Sequence, residues 1–268
     1  MIHPCLRSSI NSRLSTQTHY LFKKLSTAPN VDPLPSTSNT ESKDTSQEPE
    51  VPNPLRYHDY FQVRNLVKVK DMFDAKVHLG HKIGSLDERM KPYIYGVRQG
   101  QIIFDLDQSA ELLRDALNFV AHIAYRDGIV LFVGQSAQNS LLIEKTAQDC
   151  QEFAHTRFWR QGMFTNSEKL FKAVTRLPDL VILTNTLTTV LEPNPAIGEA
   201  AKMCIPTVGI VDSNCNPNLI TYPVPGNDDT PSAIQYYCQV FKTAILKGKK
   251  AKQDTLKLLS EKQEVQHN

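Results

Sequence analysis

Short, continuous apolar runs that alternate with amphipathic stretches constrain this fold more than any other feature of the sequence. The apolar runs lie at residues 129–133, 180–183 and 207–211, and a further β-rich run covers residues 101–106. The amphipathic stretches lie at residues 110–124, 137–149, 195–203 and from residue 231 onward. Runs this short are typical of strands buried on both faces, and strands that alternate with helices pair in parallel. The sequence therefore predicts an α/β fold with a doubly wound, mostly parallel sheet and helices on both faces.

Both ends of the chain differ in composition from this alternating core. Residues 1–31 carry four basic and no acidic residues and are rich in Ser and Thr, which is typical of a mitochondrial transit peptide, with a disordered basic tail as the alternative. Residues 32–58 are acidic and rich in Pro and Ser, so they bury too little apolar area to fold alone and we expect a disordered linker. We predict one α/β domain over residues 59–250 and a polar C-terminal tail over residues 251–268.

Charge and hydropathy exclude several classes of protein. The net charge is +2, but without residues 1–31 the chain has 26 basic and 28 acidic residues. A general nucleic-acid coat protein would be strongly basic, so any RNA contact has to come from local clusters. No apolar run approaches the roughly 18 residues of a membrane helix. The five cysteines are scattered without a close pair, which suits reduced thiols.

Three local clusters of basic side chains are present. The first lies between residues 76 and 100, the second between 157 and 176, and the third between 242 and 252, at the end of the last amphipathic helix. Such clusters neutralise phosphates and make binding sensitive to salt. The third is equally explained by the helix macrodipole, which favours lysine near a C-terminus.

The segment around Trp159, the only tryptophan of the chain, combines cations with aromatic rings. Arg157 and Arg160 can fork onto phosphates while Trp159 offers a flat face, which suits a folded RNA surface. The alternative is that Trp159 is a packed core residue. Thr165, followed three residues later by a glutamate, predicts a capping box at the start of a helix.

The sequence contains only weak motifs for catalysis or metal binding. The chain has no dinucleotide fingerprint, phosphate loop or nucleophile elbow. His78 and His81 lie three residues apart with no further ligand near them in sequence, so we predict no metal site and no cofactor. A competing hypothesis, a flavodoxin-like nucleotide-binding enzyme of the mitochondrial matrix, would use residues at strand ends: Gly134, Asp212, Asp228 and Asp229. The three aspartates could hold a metal, although such residues also form turns and helix caps. A third hypothesis is a matrix scaffold without RNA.

Four ordered blocks of sequence resemble a known family. They are V-H-L-G-H, M-K-P-Y-I-Y-G-V-R and I-I-F-D-L within residues 77–106, W-R-Q-G-M-F-T-N at 159–166, N-P-A-I-G-E-A at 194–200, and I-P to V-P-G-N-D-D within 205–229. Together they are similar to the small-subunit ribosomal protein two family. The transit peptide and a missing arm, described below, point to its mitochondrial branch.

The resemblance implies a flavodoxin-like fold and a structural role in the small subunit of the mitochondrial ribosome, in the matrix, with no enzymatic activity. It implies small-subunit rRNA and neighbouring mitochondrial ribosomal proteins as partners, with no membrane and no small-molecule substrate. Phosphate contacts would position the chain and folded rRNA shape would give selectivity. The residues that we expect to contact rRNA come from the first two clusters: His78, His81, Lys82, Arg89, Lys91, Arg98, Arg157, Trp159 and Arg160.

Two departures from the family pattern affect these expectations. Gln161 replaces the first glycine of the family's double glycine, so the loop there must have a negative φ or different packing. The segment Arg176-Leu177-Pro178 runs almost directly into the strand at Leu180. We therefore expect this chain to lack the long helical-hairpin arm of bacterial members.

Overall fold

The computed structural model describes residues 53–189 and 192–267, with side chains through residue 260. The predicted transit peptide and most of the predicted linker lie outside these residues. The strands are β1 (Leu79–Lys82), β2 (Ile94–Arg98), β3 (Gln101–Phe104), β4 (Val130–Val133), β5 (Phe153–His155), β6 (Leu180–Leu183), β7 (Thr207–Val211) and β8 (Tyr222–Pro225). The α-helices are α1 (Val69–Asp74), α2 (Leu106–Tyr125), α3 (Ser140–Cys150), α4 (Ser167–Phe171), α5 (Pro195–Lys202) and α6 (Pro231–His267).

Five of the strands form one parallel sheet in the order β5-β4-β6-β7-β8. Counted from β4, this is the flavodoxin order 2-1-3-4-5. All residues of β6 and β7 are buried, as expected for central strands covered on both faces. The predicted flavodoxin-like fold is confirmed.

The two faces of this sheet bury different apolar clusters because successive side chains point to opposite sides. Ile182 belongs to the cluster that packs under α2, α3 and α6. Val181 and Leu183 belong to the other cluster, which includes Ala196 and Ile197 of α5. Helices therefore cover both faces, as predicted.

A second, smaller sheet is antiparallel and has the order β1-β3-β2. Strands β2 and β3 form a hairpin whose turn residues, Gln99 and Gly100, both have positive φ, at 54° and 77°, which matches the twist of a tight hairpin. The small sheet is joined to the large one by hydrogen bonds: Asn227 N donates to Val77 O at 3.1 Å, and His81 N donates to Ser213 Oγ at 3.0 Å. It therefore lies at the carboxyl edge of β7 and β8.

Three local features differ from or refine the sequence predictions. The predicted capping box is wrong: α4 begins at Ser167 after Asn166, which makes no side-chain capping bond, and the Asn166 N–H closes a turn onto Gly162 O at 2.8 Å. Helix α6 continues past residue 250 to His267, so residues predicted as a polar tail are helical. Residues 172–179 alone join α4 to β6, which confirms that the helical-hairpin arm is absent.

None of the helices in the described part of the chain combines the length and the apolar character that crossing a membrane requires.

Candidate nucleic-acid interface

The loop that follows β5 exposes two arginines. Arg157 and Arg160 are exposed, and their side chains form no ion pair or hydrogen bond with any residue that the structure describes. Phe158, between them in sequence, is 74% exposed. Unpaired guanidinium groups next to an exposed ring are suited to phosphate and base contacts. We call Arg157 and Arg160 the loop patch.

Trp159 has a different environment from its neighbours. It is 1% exposed and meets His155 and Phe164 edge-on, with ring centroids 5.1 and 4.9 Å apart. Trp159 therefore has the surroundings of a packed core residue, which was the alternative hypothesis from the sequence. Trp159 therefore packs in the apolar cluster beneath the loop patch, where protein covers its ring faces.

A buried carboxylate that the sequence analysis missed holds this loop in place. Glu199 of α5 is 7% exposed and accepts hydrogen bonds from the backbone N–H of Gly162 at 2.6 Å and of Phe164 at 2.9 Å. Gly162 has a φ of +92°, which favours glycine, whereas Gln161 is not among the residues with positive φ. The signal in the sequence was a lone glutamate in a helix of otherwise small and apolar residues, A-I-G-E-A.

The small sheet and the 3-10 turn before β2 expose further cations. Lys82, Arg89 and Arg98 are exposed and make no side-chain ion pair or hydrogen bond within the described ranges. Lys91 is also exposed but pairs with Glu88 at 3.2 Å, a surface contact worth little energy. We call Lys82, Arg89, Lys91 and Arg98 the sheet patch.

The segments that carry the two patches pack into one apolar cluster. Met90, from the turn that carries Arg89, is buried in the same apolar cluster as Trp159 and Phe164. The loop patch follows the carboxyl end of β5, and the small sheet lies at the carboxyl end of β7, three strands away. At about 4.8 Å per strand spacing, these strand ends are roughly 14 Å apart on one edge of the sheet.

His78 and His81 lie together in the small sheet but differ in their chemistry. His78 stacks on Phe73, with ring centroids 4.3 Å apart and planes 8° from parallel, and burial lowers its pKa. Its ring is therefore engaged with Phe73, and burial disfavours its charged form.

His81 is paired with acidic side chains. Its Nδ1 lies 3.1 Å from Asp212 Oδ2 and its Nε2 lies 3.3 Å from Asp229 Oδ2. The hydrogen bond to Asp212 raises the pKa of His81 to about 9 against the opposing effect of burial. The imidazolium charge is thus balanced by two carboxylates, which would repel a phosphate.

The third basic cluster is occupied by contacts within the chain. Four of its five lysines reach an acid or a backbone carbonyl: Lys242 to Asp149 at 2.6 Å, Lys247 to Gln62 O at 2.8 Å, Lys249 to Glu152 at 2.5 Å, and Lys252 to Asp127. Lys249 also donates to Cys150 O at 2.6 Å, at the end of α3. These lysines attach α6 to the rest of the domain.

At the crevice in which a doubly wound sheet usually binds a nucleotide, Gly134 packs closely against neighbouring side chains. This crevice lies where the strand order reverses, between the ends of β4 and β6. A Cβ atom added at Gly134 would lie 2.4 Å from Thr184 Oγ1 and 2.7 Å from Ile143 Cδ1. The Thr184 hydroxyl also donates to Val133 O at 3.2 Å. This packing leaves no room for a side chain at position 134.

Comparison with known proteins reveals similarity over most of the described domain. The family model described as Ribosomal protein S2 matches residues 72–185 and 169–248. The Small ribosomal subunit protein uS2m of Bos taurus is 55% identical over 196 residues, which cover 73% of this chain and 67% of that protein.

Two bacterial proteins, each named Small ribosomal subunit protein uS2, are also similar. Those of Rickettsia bellii and Rickettsia typhi are 33% and 35% identical over 226 positions, covering 68% of this chain and 76% and 75% of theirs. The 226 positions exceed what 68% of a 268-residue chain can fill. The bacterial proteins therefore contain a stretch that this chain lacks, in agreement with the direct connection from α4 to β6.

Proposed function

This chain belongs to the ribosomal protein S2 family, and from that membership we propose that it binds small-subunit rRNA through the loop patch and the sheet patch. It is a structural component of the small subunit of the mitochondrial ribosome and not an enzyme. Its location is the mitochondrion, which the identity with bovine uS2m and the acid-free composition of residues 1–31 both support.

One observation carries the assignment of the interface. Five of the six patch cations, all except Lys91, make no side-chain ion pair or hydrogen bond with the residues that the structure describes, whereas four of the five lysines between residues 242 and 252 of α6 do. An unpaired arginine gains a full phosphate contact on binding because it gives up no ion pair. The supports beneath the patches are rigid, since Trp159 is buried and Glu199 anchors the loop. Such contacts position a protein on RNA without reading its sequence, so shape complementarity supplies selectivity.

Neighbouring ribosomal proteins are the second class of partner. The edge strand β2 exposes Tyr95 at 81% and Val97 at 48%, and Val174 beyond α4 is 91% exposed. An unpaired strand edge with apolar side chains is suited to protein contact. The excess of acidic residues after residue 31 also supports protein neighbours over much of the surface.

A sedimentation experiment with full-length chains in mitochondria tests the interface. We expect the wild-type chain to comigrate with small-subunit rRNA on sucrose gradients, including after magnesium is chelated and the subunits separate. Replacing both loop-patch residues, Arg157→Ala/Arg160→Ala, should move at least a large fraction to the top of the gradient. The matched control Lys242→Ala/Lys252→Ala removes the same charge from α6 and should stay with the subunit.

Two outcomes would count against the proposal. If both double variants sediment like the wild type, the loop patch does not hold rRNA. If both leave the subunit equally, net charge and not position is responsible. A wild-type chain found only in the top fractions would reopen the scaffold hypothesis.

A further inference from the structure

One face of the large sheet is only partly covered by long helices. On this face α5 covers β6 and β7, and its Ala196 and Ile197 belong to the same apolar cluster as Val181 and Leu183. A helix is about 10 Å wide and strands lie about 4.8 Å apart, so one helix covers roughly two strands. The part of this face over β4 and β5 therefore needs a cover of its own.

In the described part of the chain, a short helix lies over that region. Helix α4, in the crossover from β5 to β6, has five residues and is thus about 7.5 Å long. On the opposite face, α3 has 11 residues and α2 has 20. A groove of about 580 Å³ remains beside α4. Its lining is mostly apolar and includes Ile129, Leu131, Phe153, Phe164, Phe171 and Leu177.

Apolar side chains also extend from this region into solvent. Phe153 on the edge strand β5 is 60% exposed, and Phe171 at the end of α4 is 49% exposed. Val174, in the connection to β6, is 91% exposed. Exposed apolar surface of this kind is typical of a contact with another macromolecule. A small molecule within the groove would leave Val174 uncovered, which favours a larger partner.

The segment that borders the groove carries positive charge. Lys169 and Lys172 are exposed and form no side-chain ion pair or hydrogen bond with any described residue. Arg176 pairs with Asp179 at 3.1 Å but stays 67% exposed. Residues 167–178 contain three basic residues and one acidic residue. A partner with carboxylates beside its apolar face would complement this segment.

We propose that this groove is a docking site for an amphipathic α-helix with acidic flanks, supplied by a neighbouring ribosomal protein. The helix lies over β4 and β5, packs its apolar residues against Phe153 and Phe171, and sets its carboxylates against Lys169, Lys172 and Arg176. It thereby supplies the length of helical cover that α4 lacks. This docking site rests on the part of the proposed function that concerns protein neighbours, and not on the rRNA interface.

A helix fits this site better than an added strand or an RNA segment. Strand β5 has three residues, so its open edge offers few backbone groups for pairing with a strand. A strand added at that edge would also leave the groove on the face of the sheet unfilled. RNA can stack a base on one exposed ring, but its phosphates would lose their hydration in an apolar groove.

Site-specific photocrosslinking in mitochondria tests the docking site. The full-length chain carries p-benzoylphenylalanine in place of Phe153, and the small subunit is isolated after irradiation and the crosslinked peptide sequenced. We expect one protein partner, crosslinked through a segment with apolar residues at helical spacing and carboxylates beside them. The matched control carries the same probe in place of Leu141, which is 76% exposed on α3, on the opposite face of the sheet. It should not crosslink to that segment.

A double substitution measures what the groove contributes. Phe153→Ser/Phe171→Ser alters two exposed rings, so the isolated chain should still fold and melt cooperatively. Small subunits that contain this variant should hold at least about ten-fold less of the crosslinked protein, while the variant itself still comigrates with rRNA. Leu141→Ser is the control and should retain the partner at the wild-type level.

Several outcomes would overturn the proposal. A crosslink from position 153 that ribonuclease removes would assign the surface to RNA. A crosslink within the chain, to a second copy of it, or to an extended or carboxylate-free segment would exclude the acidic helix. The absence of any crosslink would mean that the groove stays open in the small subunit. Full retention of the partner by Phe153→Ser/Phe171→Ser would show that the groove does not hold it.

The docking site and the rRNA interface are read out separately. Sedimentation of Arg157→Ala/Arg160→Ala reports on the loop patch, whereas the crosslink and the partner content of the subunit report on the groove. Either proposal can therefore fail without the other.

Discussion

Basic side chains in two regions of the molecule have opposite surroundings. In α6, four lysines between residues 242 and 252 end on acids or carbonyls of the same domain. In the loop after β5, Arg157 and Arg160 end in solvent. The sequence shows a basic cluster in both places, and by charge count alone α6 is the stronger candidate for RNA binding.

The contrast teaches that pairing, and not the number of charges, distinguishes a binding surface from a packing surface. A lysine already paired with a carboxylate must give up that contact to bind a phosphate, so its net gain is small. An unpaired arginine on a rigid support has no such cost. Four predictions test or refine this contrast, from the largest expected effect to the smallest.

Removing the support beneath the loop patch should have the largest effect. Trp159→Ala empties a fully buried site and should lower the free energy of unfolding by about 3–5 kcal/mol, measured by urea denaturation. Trp159→Phe should cost less than about 1.5 kcal/mol, because the indole N–H has no acceptor among the described residues. A stable Trp159→Ala variant that loses only RNA binding would instead make this residue a recognition side chain.

Removing the anchor of the loop should have the next largest effect. In Glu199→Ala the N–H groups of Gly162 and Phe164 lose their acceptor. Each buried donor left without an acceptor costs about 1–3 kcal/mol of folding free energy. We expect a loss of about 2–4 kcal/mol in urea denaturation together with weaker rRNA binding. Glu199→Gln keeps one acceptor oxygen and should be intermediate. Wild-type stability in Glu199→Ala would show that the loop does not depend on this carboxylate.

Removing a paired lysine from α6 should affect stability alone. Lys249→Ala removes the ion-pair partner of Glu152, whose side chain is 5% exposed, and leaves it only the hydrogen bond from Val130 N–H. We expect a loss of about 2 kcal/mol, less than for a fully buried pair because Lys249 itself is 27% exposed. Binding to a folded small-subunit rRNA fragment, followed by filter retention, should match the wild type. Weaker binding at unchanged stability would contradict the contrast between the two regions.

The smallest effects are expected when single exposed cations, Arg160 of the loop patch and Lys250 of α6, are replaced. Arg160→Ala and Lys250→Ala should each change stability by less than about 0.5 kcal/mol, since neither side chain has a partner in the described structure. Arg160→Ala should reduce the slope of log affinity against log salt concentration by about one, whereas Lys250→Ala should leave it unchanged. Equal slopes for the two variants would mean that a cation on the loop contributes no more to RNA binding than a cation on α6.

Most of the fold could be predicted from the sequence. The apolar runs that became β4, β6 and β7 are short and continuous because both faces of each strand are covered, so local pattern and tertiary position agree. The absent arm was also predictable, since the chain between Arg176 and Leu180 is too short to contain it. The capping box at Thr165 failed because Thr165 lies inside the turn that the Asn166 N–H closes onto Gly162 O, and the helix begins two residues later, at Ser167.

The candidate interface could be predicted only in part. The sequence identified Arg157, Arg160 and the sheet-patch residues as cations, but it could not separate them from the lysines of α6. It grouped Trp159 with its exposed neighbours, and it left Glu199 unnoticed. Each of these distinctions depends on contacts between residues tens of positions apart.

The sequence by itself determined the class of fold, the family and the presence of basic clusters, because hydrophobic periodicity and family motifs are local properties of the chain. Only the tertiary structure decided which cations are free, that Trp159 is buried, and that His81 meets Asp212 and Asp229. The reason is physical: the chain separates β1 from the ends of β7 and β8 by well over a hundred residues, and only the pairing of the strands brings their side chains within reach.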